Sequence, residues 1–248
     1  MSSLALLFLL LPQAAAPAAP PAQPVTLEIE LKQGSPDEAR TRDQLLRLLQ
    51  EHDLGRWTFT RKIVIDGTPQ LIPHSHPVLT LSTEYQMDDD LLLSTFVHEQ
   101  LHWYLEENHE RAQPALQELR KLYPDAPAGP REGAGDLEST YRHLIVCYWE
   151  IRAAKELLGE LRAYQVGQFW AQDHYTWIYR KVLEEGYKIG PLIHKHGLIP
   201  DARKREQSHV TIPRHDPLRI GTLASILQDV AQHFGWTRQQ VQERIFDR

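Results

Sequence analysis

From Val25 to Leu31 the chain reads VTLEIEL, apolar and polar in alternation, which predicts a β-strand. At Ser35 the period changes. A serine cap, a proline at the first helical position and acids in the first turn precede an apolar stripe, predicting a helix over 35–52. The run 57–73 sets Asp66-Gly67 between two apolar stretches, the signal for a β-hairpin. PVLTLST (77–83) alternates again and predicts another strand. From Asp88 the stripe is helical to about residue 105, with Asp88, Asp89 and Asp90 at the end where a helix dipole favours acids. A second helix is expected over about 111–122, a Pro/Gly-rich loop over 124–136, and a long helix over 137–159 closing at Gly159. Another helix is expected over about 171–196, bent at Gly190-Pro191, then an irregular stretch over 197–217 and a helical region over about 218–247. There is no internal repeat. Strands first and helices after predict an α+β fold, with a small antiparallel or mixed N-terminal sheet packed on a mainly helical body.

Length and composition narrow the class. A chain of 248 residues can bury one sizeable core, and residues 25–248 are expected to form a single domain after a leader, 1–24. At 42% hydrophobic and 24% charged residues it has an ordinary globular composition. A net charge of −6 and a pI near 6.1 give no reason to expect a nucleic-acid partner. The basic cluster Arg203-Lys204-Arg205 is flanked by Asp201 and Glu206 and reads as a solvated loop. The single cysteine, Cys147, rules out an intramolecular disulfide. The apolar run Leu4–Leu11 has eight residues, too few to span a bilayer as a helix. With Pro12 after it and Ala16 and Ala18 in an A-x-A frame, it has the layout of a secretory signal peptide. Export to the periplasm or the medium is therefore expected, with no stable membrane span.

The chemistry is concentrated in TFVHEQLHWYLEEN (95–108). His98 and His102, four residues apart, project from one helix face and can both reach one Zn²⁺. Glu99 lies about 100° further round the helix, where it can reach a water in the metal's open position and take its proton. This H-E-x-x-H stretch, with Thr95, Phe96, Val97, Gln100, Leu101, Trp103 and Tyr104 around it, resembles the zincin metallopeptidases over about 90–108. The resemblance implies a peptidase with one Zn²⁺ per chain, a peptide or protein substrate, and a strand before the motif helix that lines the cleft. Register excludes the metzincin branch. It needs a glycine and a third histidine where this chain has Leu105 and Asn108, and His109 comes one place late.

A catalytic zinc needs a third protein ligand. Glu106 lies about 12 Å along the helix from His98, so it reads as a surface carboxylate. The apolar helix 137–159 carries His143 and Glu150 on one face, and buried polar groups there need a partner. His143 is favoured as the ligand. Glu150 is an alternative, or orients a ligand imidazole through its second nitrogen. Glu138 is a further alternative, because the gluzincin branch takes a glutamate from a following helix. The aspartate that branch shows four residues later is replaced by Arg142. Cys147, four residues after His143, could instead close a four-ligand structural site, although a buried free thiol is commoner. Tyr175, Tyr179, His209 and His215 are candidates for stabilising an oxyanion, without a spacing argument. His74 and His76 read as part of a turn, and Trp170, His174 and Trp177 as one core face.

These residues predict an exported zinc-dependent metallohydrolase in which His98, His102 and His143 bind the metal and Glu99 is the catalytic base. The alternative is a non-catalytic, zinc-stabilised binding or structural protein on a similar scaffold, and a third is a metal-free helical protein.

Overall fold

The computed structural model of the chain describes residues 25–200. The leader, the histidines of the 197–217 stretch and the helical region expected after 217 lie outside the described residues. The α+β class holds. The elements run β1 (Glu28–Leu31), α1 (Pro36–Glu51), β2 (Lys62–Asp66), β3 (Leu79–Ser82), α2 (Asp89–Glu107), α3 (His109–Leu122), α4 (Leu137–Leu158), α5 (Glu160–Asp173) and α6 (Thr176–Lys195).

Local signals set most boundaries. Ser35 caps α1 through a reciprocal box with Glu38, and Pro36 opens the helix without losing a needed N–H. Asp88 caps α2 by accepting from the Leu91 N–H, and Asp136 caps α4 by accepting from the Ser139 N–H. Gly159 closes α4 at φ 87°, a conformation in which a side chain would be strained.

The sheet departs from expectation. It has three strands in the order β1-β2-β3, and both pairings are parallel. There is no hairpin at Asp66-Gly67. The Gly67 N–H donates instead to Glu38 Oε1 at 2.8 Å, and Asp66 Oδ1 accepts from the Thr68 N–H at 2.9 Å. A Cβ on Gly67 would sit 3.3 Å from Ser35 Oγ, so the glycine lets the end of β2 press against the start of α1. The chain then runs through 67–78, long enough to bring β3 back parallel to β2. Ile63, Ile65, Leu79 and Leu81 are all at most 1% exposed, a core that either strand direction would bury, so the apolar pattern could not choose between them. His74 makes one antiparallel bridge to Thr80.

The helix expected over 171–196 is mainly α6, and its first residues, 171–173, instead end α5, a helix starting at Glu160 that was not expected. The break falls at Tyr175, which is left-handed at φ 50°, ψ 37°. The first N–H groups of α6 are satisfied by the 124–136 loop: Thr176 donates to the Arg131 carbonyl at 3.0 Å and Trp177 to the Glu132 carbonyl at 3.1 Å. A distant loop thus supplies the acceptors that let a new helix start here. The backbone of α6 bends at Glu185 rather than at Gly190-Pro191. At Gly190 the helix is pressed flush against α4, where a Cβ would meet the Tyr148 hydroxyl at 2.3 Å. The aromatic face is divided accordingly: Trp170 on α5 is buried, while Trp177 on α6 packs edge-on against Tyr123.

Helix α2 is the centre of the body. Every residue from Leu91 to Leu101 is buried, and the helix packs against α1, β3, α4 and α5. Its apolar residues, such as Phe96 at 0% exposed, contribute about 1.5–3 kcal/mol each to folding. The same enclosure buries Ser94, His98, Glu99 and Gln100. Gln100 is satisfied by backbone: its Oε1 accepts from the Phe59 and Thr60 N–H groups and its Nε2 donates to the Thr60 carbonyl.

Candidate metal centre

His98 and His102 stand one turn apart on α2, and α4, packed alongside, brings His143 to them. The three rings lie at centroid distances of 5.0, 5.5 and 4.8 Å, and one ligand nitrogen from each lies within 4.8 Å of the others. His98 Nε2 and His102 Nε2 are 3.2 Å apart. Zinc–nitrogen bonds of about 2.0–2.1 Å at a tetrahedral angle put two ligand nitrogens roughly 3.3 Å apart. The spacing and the all-imidazole donor set therefore fit zinc. His98 and His143 are buried, and His102 is partly exposed on a cleft of about 500 Å³ that His76, Glu106, His109 and Arg142 also line.

The remaining ring nitrogens decide which lone pairs are free. His98 Nδ1 lies 2.8 Å from Glu150 Oε2, and a carboxylate there can only accept, so the proton is on Nδ1. Glu150 is 1% exposed; the Ser94 hydroxyl donates to its Oε1 and the Tyr179 hydroxyl to its Oε2 at 2.7 Å. Ser94 in turn accepts from the Trp170 indole at 3.0 Å. His143 Nδ1 donates to the Ser139 carbonyl at 2.8 Å, one turn back on its own helix. Both arrangements direct Nε2 toward the shared centre, as outer partners do in histidine metal sites.

The charges agree with this. Burial depresses His143 to about 3, and the neighbouring His98 charge adds to the effect. His102 is also pushed well down, by burial and then by His98 and His143. Burial acts against the protonated form of His98 too, but the adjacent Cys147 and Glu150 outweigh it and raise His98 well above the ordinary value. One positive charge is thus favoured between two facing Nε2 atoms, with neutral imidazoles around it. A proton or a metal cation can supply it.

Glu99 is 7% exposed, and among the described residues its carboxylate has no hydrogen-bond partner. Burial raises its pKa, offset in part by His98 and His74. Such a group is poised to accept a proton.

The other candidates separate clearly. Glu138 is exposed and pairs with Arg120 at 3.2 Å, and it does not group with the histidines. The start of α4 faces α3, which is why its first-turn acid finds an arginine there. Glu150 lies on the far ring nitrogen of His98. Cys147 is fully buried and groups with His98 and Glu150, not with His102 and His143, so the three histidines and Cys147 do not close a four-ligand site. Glu106 is a surface carboxylate and pairs with His76, whose ring stacks on Trp103 at 4.3 Å. Tyr175 covers the site: its ring centroid is 4.4 Å from that of His143 and 6.1 Å from that of His98. Its left-handed backbone is unusual for a bulky residue.

Sequence reasoning missed the roles of Ser94 and Trp170 and did not rank Tyr175. Ser94 had a signal, being four residues before His98 in an otherwise apolar stretch. Trp170 and Tyr175 reach the site only because α5 ends where it does. Comparison with family models, with curated proteins and with solved structures finds no match to this chain. Among the described residues no helix is long and apolar enough to cross a membrane.

Proposed function

We propose that the chain is an exported zinc-dependent hydrolase acting on peptides. The observation that carries the reading is the convergence of His98, His102 and His143, with His98 and His143 oriented by outer partners, beside the unpaired carboxylate of Glu99. Bound zinc supplies an acidified water and a positive charge for the oxyanion. The chain's own groups do the rest. Glu99 accepts the proton of the attacking water and returns it to the leaving amine. Glu150 holds His98 in the Nδ1–H tautomer, and the Ser139 carbonyl does the same for His143. The cleft beside His102 admits substrate from one side. Peptide as the substrate class rests on the zincin resemblance of residues 90–108, and export on the signal-like leader.

The test is paired. Protein purified without added metal is analysed for zinc and assayed on a mixed peptide pool, alongside Glu99→Gln. One zinc per chain is expected in both, with hydrolysis about 10²–10⁴-fold lower in the variant. Full activity in Glu99→Gln sinks the mechanism. Zinc bound without any hydrolysis favours the non-catalytic, zinc-stabilised alternative.

A further inference from the structure

Two side chains of the cleft, His109 and Arg142, have no part in holding the metal and, among the described residues, no ion pair or hydrogen bond of their own; of the two only Arg142 is partly buried and carries a guanidinium. Arg142 precedes His143 on α4, so its side chain leaves the helix about 100° away from the imidazole. It lines the same cleft of about 500 Å³ as His102. Among the described residues it makes no ion pair and no hydrogen bond. The carboxylate that shares the cleft, Glu106, is taken by His76. Arg47 holds Asp89 and Glu51, Arg120 holds Glu138, and Arg162 holds Asp90, while Arg61, Arg111, Arg131, Arg152 and Arg180 make no ion pair among the described residues but do not line this cleft.

A half-buried guanidinium with no acid, beside a metal centre and in a cleft of ligand size, is suited to hold an anion. We propose that Arg142 forms an anion subsite that takes a carboxylate of the substrate next to the metal centre. The planar fork of the guanidinium matches the two oxygens of a carboxylate, and partial burial limits the competition from water. The carboxylate is either the C-terminus of a peptide or an acidic side chain. The inference rests on the hydrolase reading for its choice of a peptide ligand, but binding at Arg142 does not require cleavage.

The experiment uses one N-acetylated peptide in four forms: C-terminus free or amidated, and an internal glutamate present or replaced by glutamine. Binding to the full chain carrying Glu99→Gln is measured by calorimetry, with and without the further change Arg142→Met. Cleavage of the same four peptides by the unmodified chain is followed in parallel. Forms with the recognised carboxylate are expected to bind about 10- to 100-fold more tightly than the doubly neutral form. Arg142→Met is expected to erase that gap and to leave binding of the neutral form and the thermal midpoint unchanged, and Arg142→Lys to restore part of it. Whether amidation or the glutamine replacement removes the preference identifies which carboxylate is read. Equal binding of all four forms, no binding of any, or a gap that survives Arg142→Met overturns the subsite. A carboxylate preference that depends on Arg142 without cleavage of any form supports the subsite and counts against the hydrolase reading. Cleavage without preference does the reverse.

Discussion

Glu38 and Glu150 are buried alike, at 0% and 1% exposed, in two different regions of the molecule. Glu38 sits where α1 meets the sheet. It accepts from the backbone N–H groups of Gln33, Ser35 and Gly67, and those bonds outweigh the effect of burial and hold its carboxyl below the ordinary range. Glu150 sits between α2, α4 and α6. Its donors are side chains: the Ser94 and Tyr179 hydroxyls and the His98 ring. A buried carboxylate needs donors in either place. Backbone donors are fixed by the path of the chain, so Glu38 staples a loop. Side-chain donors have freedom that the carboxylate removes, so Glu150 fixes the tautomer and direction of an imidazole. Burial alone does not tell these two acids apart; the kind of donor does.

The comparison is broken most severely at the metal centre. His143→Ala is expected to abolish zinc retention on dialysis. The roughly 2.7 kcal/mol of stabilisation that zinc at about 100 times its Kd gives the unmodified chain is expected to vanish in urea unfolding. Glu138→Ala should leave both intact, and loss of zinc in Glu138→Ala would return that residue to the ligand set. The next effect is smaller. Glu150→Gln keeps an amide oxygen that can accept from His98 Nδ1–H but removes the negative charge that strengthens this bond and makes the ring a better ligand. Zinc affinity, measured against a competing chelator, should fall about 10- to 100-fold while the fold persists.

At Glu38 the expectation inverts. Glu38→Ala should lower unfolding stability by about 1–2 kcal/mol through the lost capping box, with zinc affinity unchanged. A parallel loss of zinc affinity would undo the separation of the two regions. The smallest effect is in pH. Lys181 and Lys188 hold Glu185 down from an ordinary 4.5 to about 2. A depressed carboxylate contributes stability that is complete above about 4.5 and is lost as pH falls toward 2. Thermal midpoints followed over that window should drop less steeply in Glu185→Gln than in the unmodified chain.

Legibility followed range. The caps at Ser35, Asp88 and Asp136 and the stop at Gly159 act on the next few residues, so the helices they bound could be read from the chain. The pairing of His98 with His102 and the position of Glu99 are equally local, set by the turn of one helix. The hairpin expected at Asp66-Gly67 failed because that glycine answers to α1, 29 residues away from its partner Glu38. The break at Tyr175 was invisible because the acceptors for α6 come from Arg131 and Glu132.

The sequence by itself determined the α+β class, the register of the motif and a short set, His143, Glu150 and Glu138, of polar candidates on one following helix. Only tertiary packing decided among them. A side chain's face on its own helix follows from periodicity, but which neighbour that face meets depends on how α2, α3 and α4 lie together. That packing sends Glu138 to Arg120, His143 to the two histidines of α2, and Glu150 to the far nitrogen of His98.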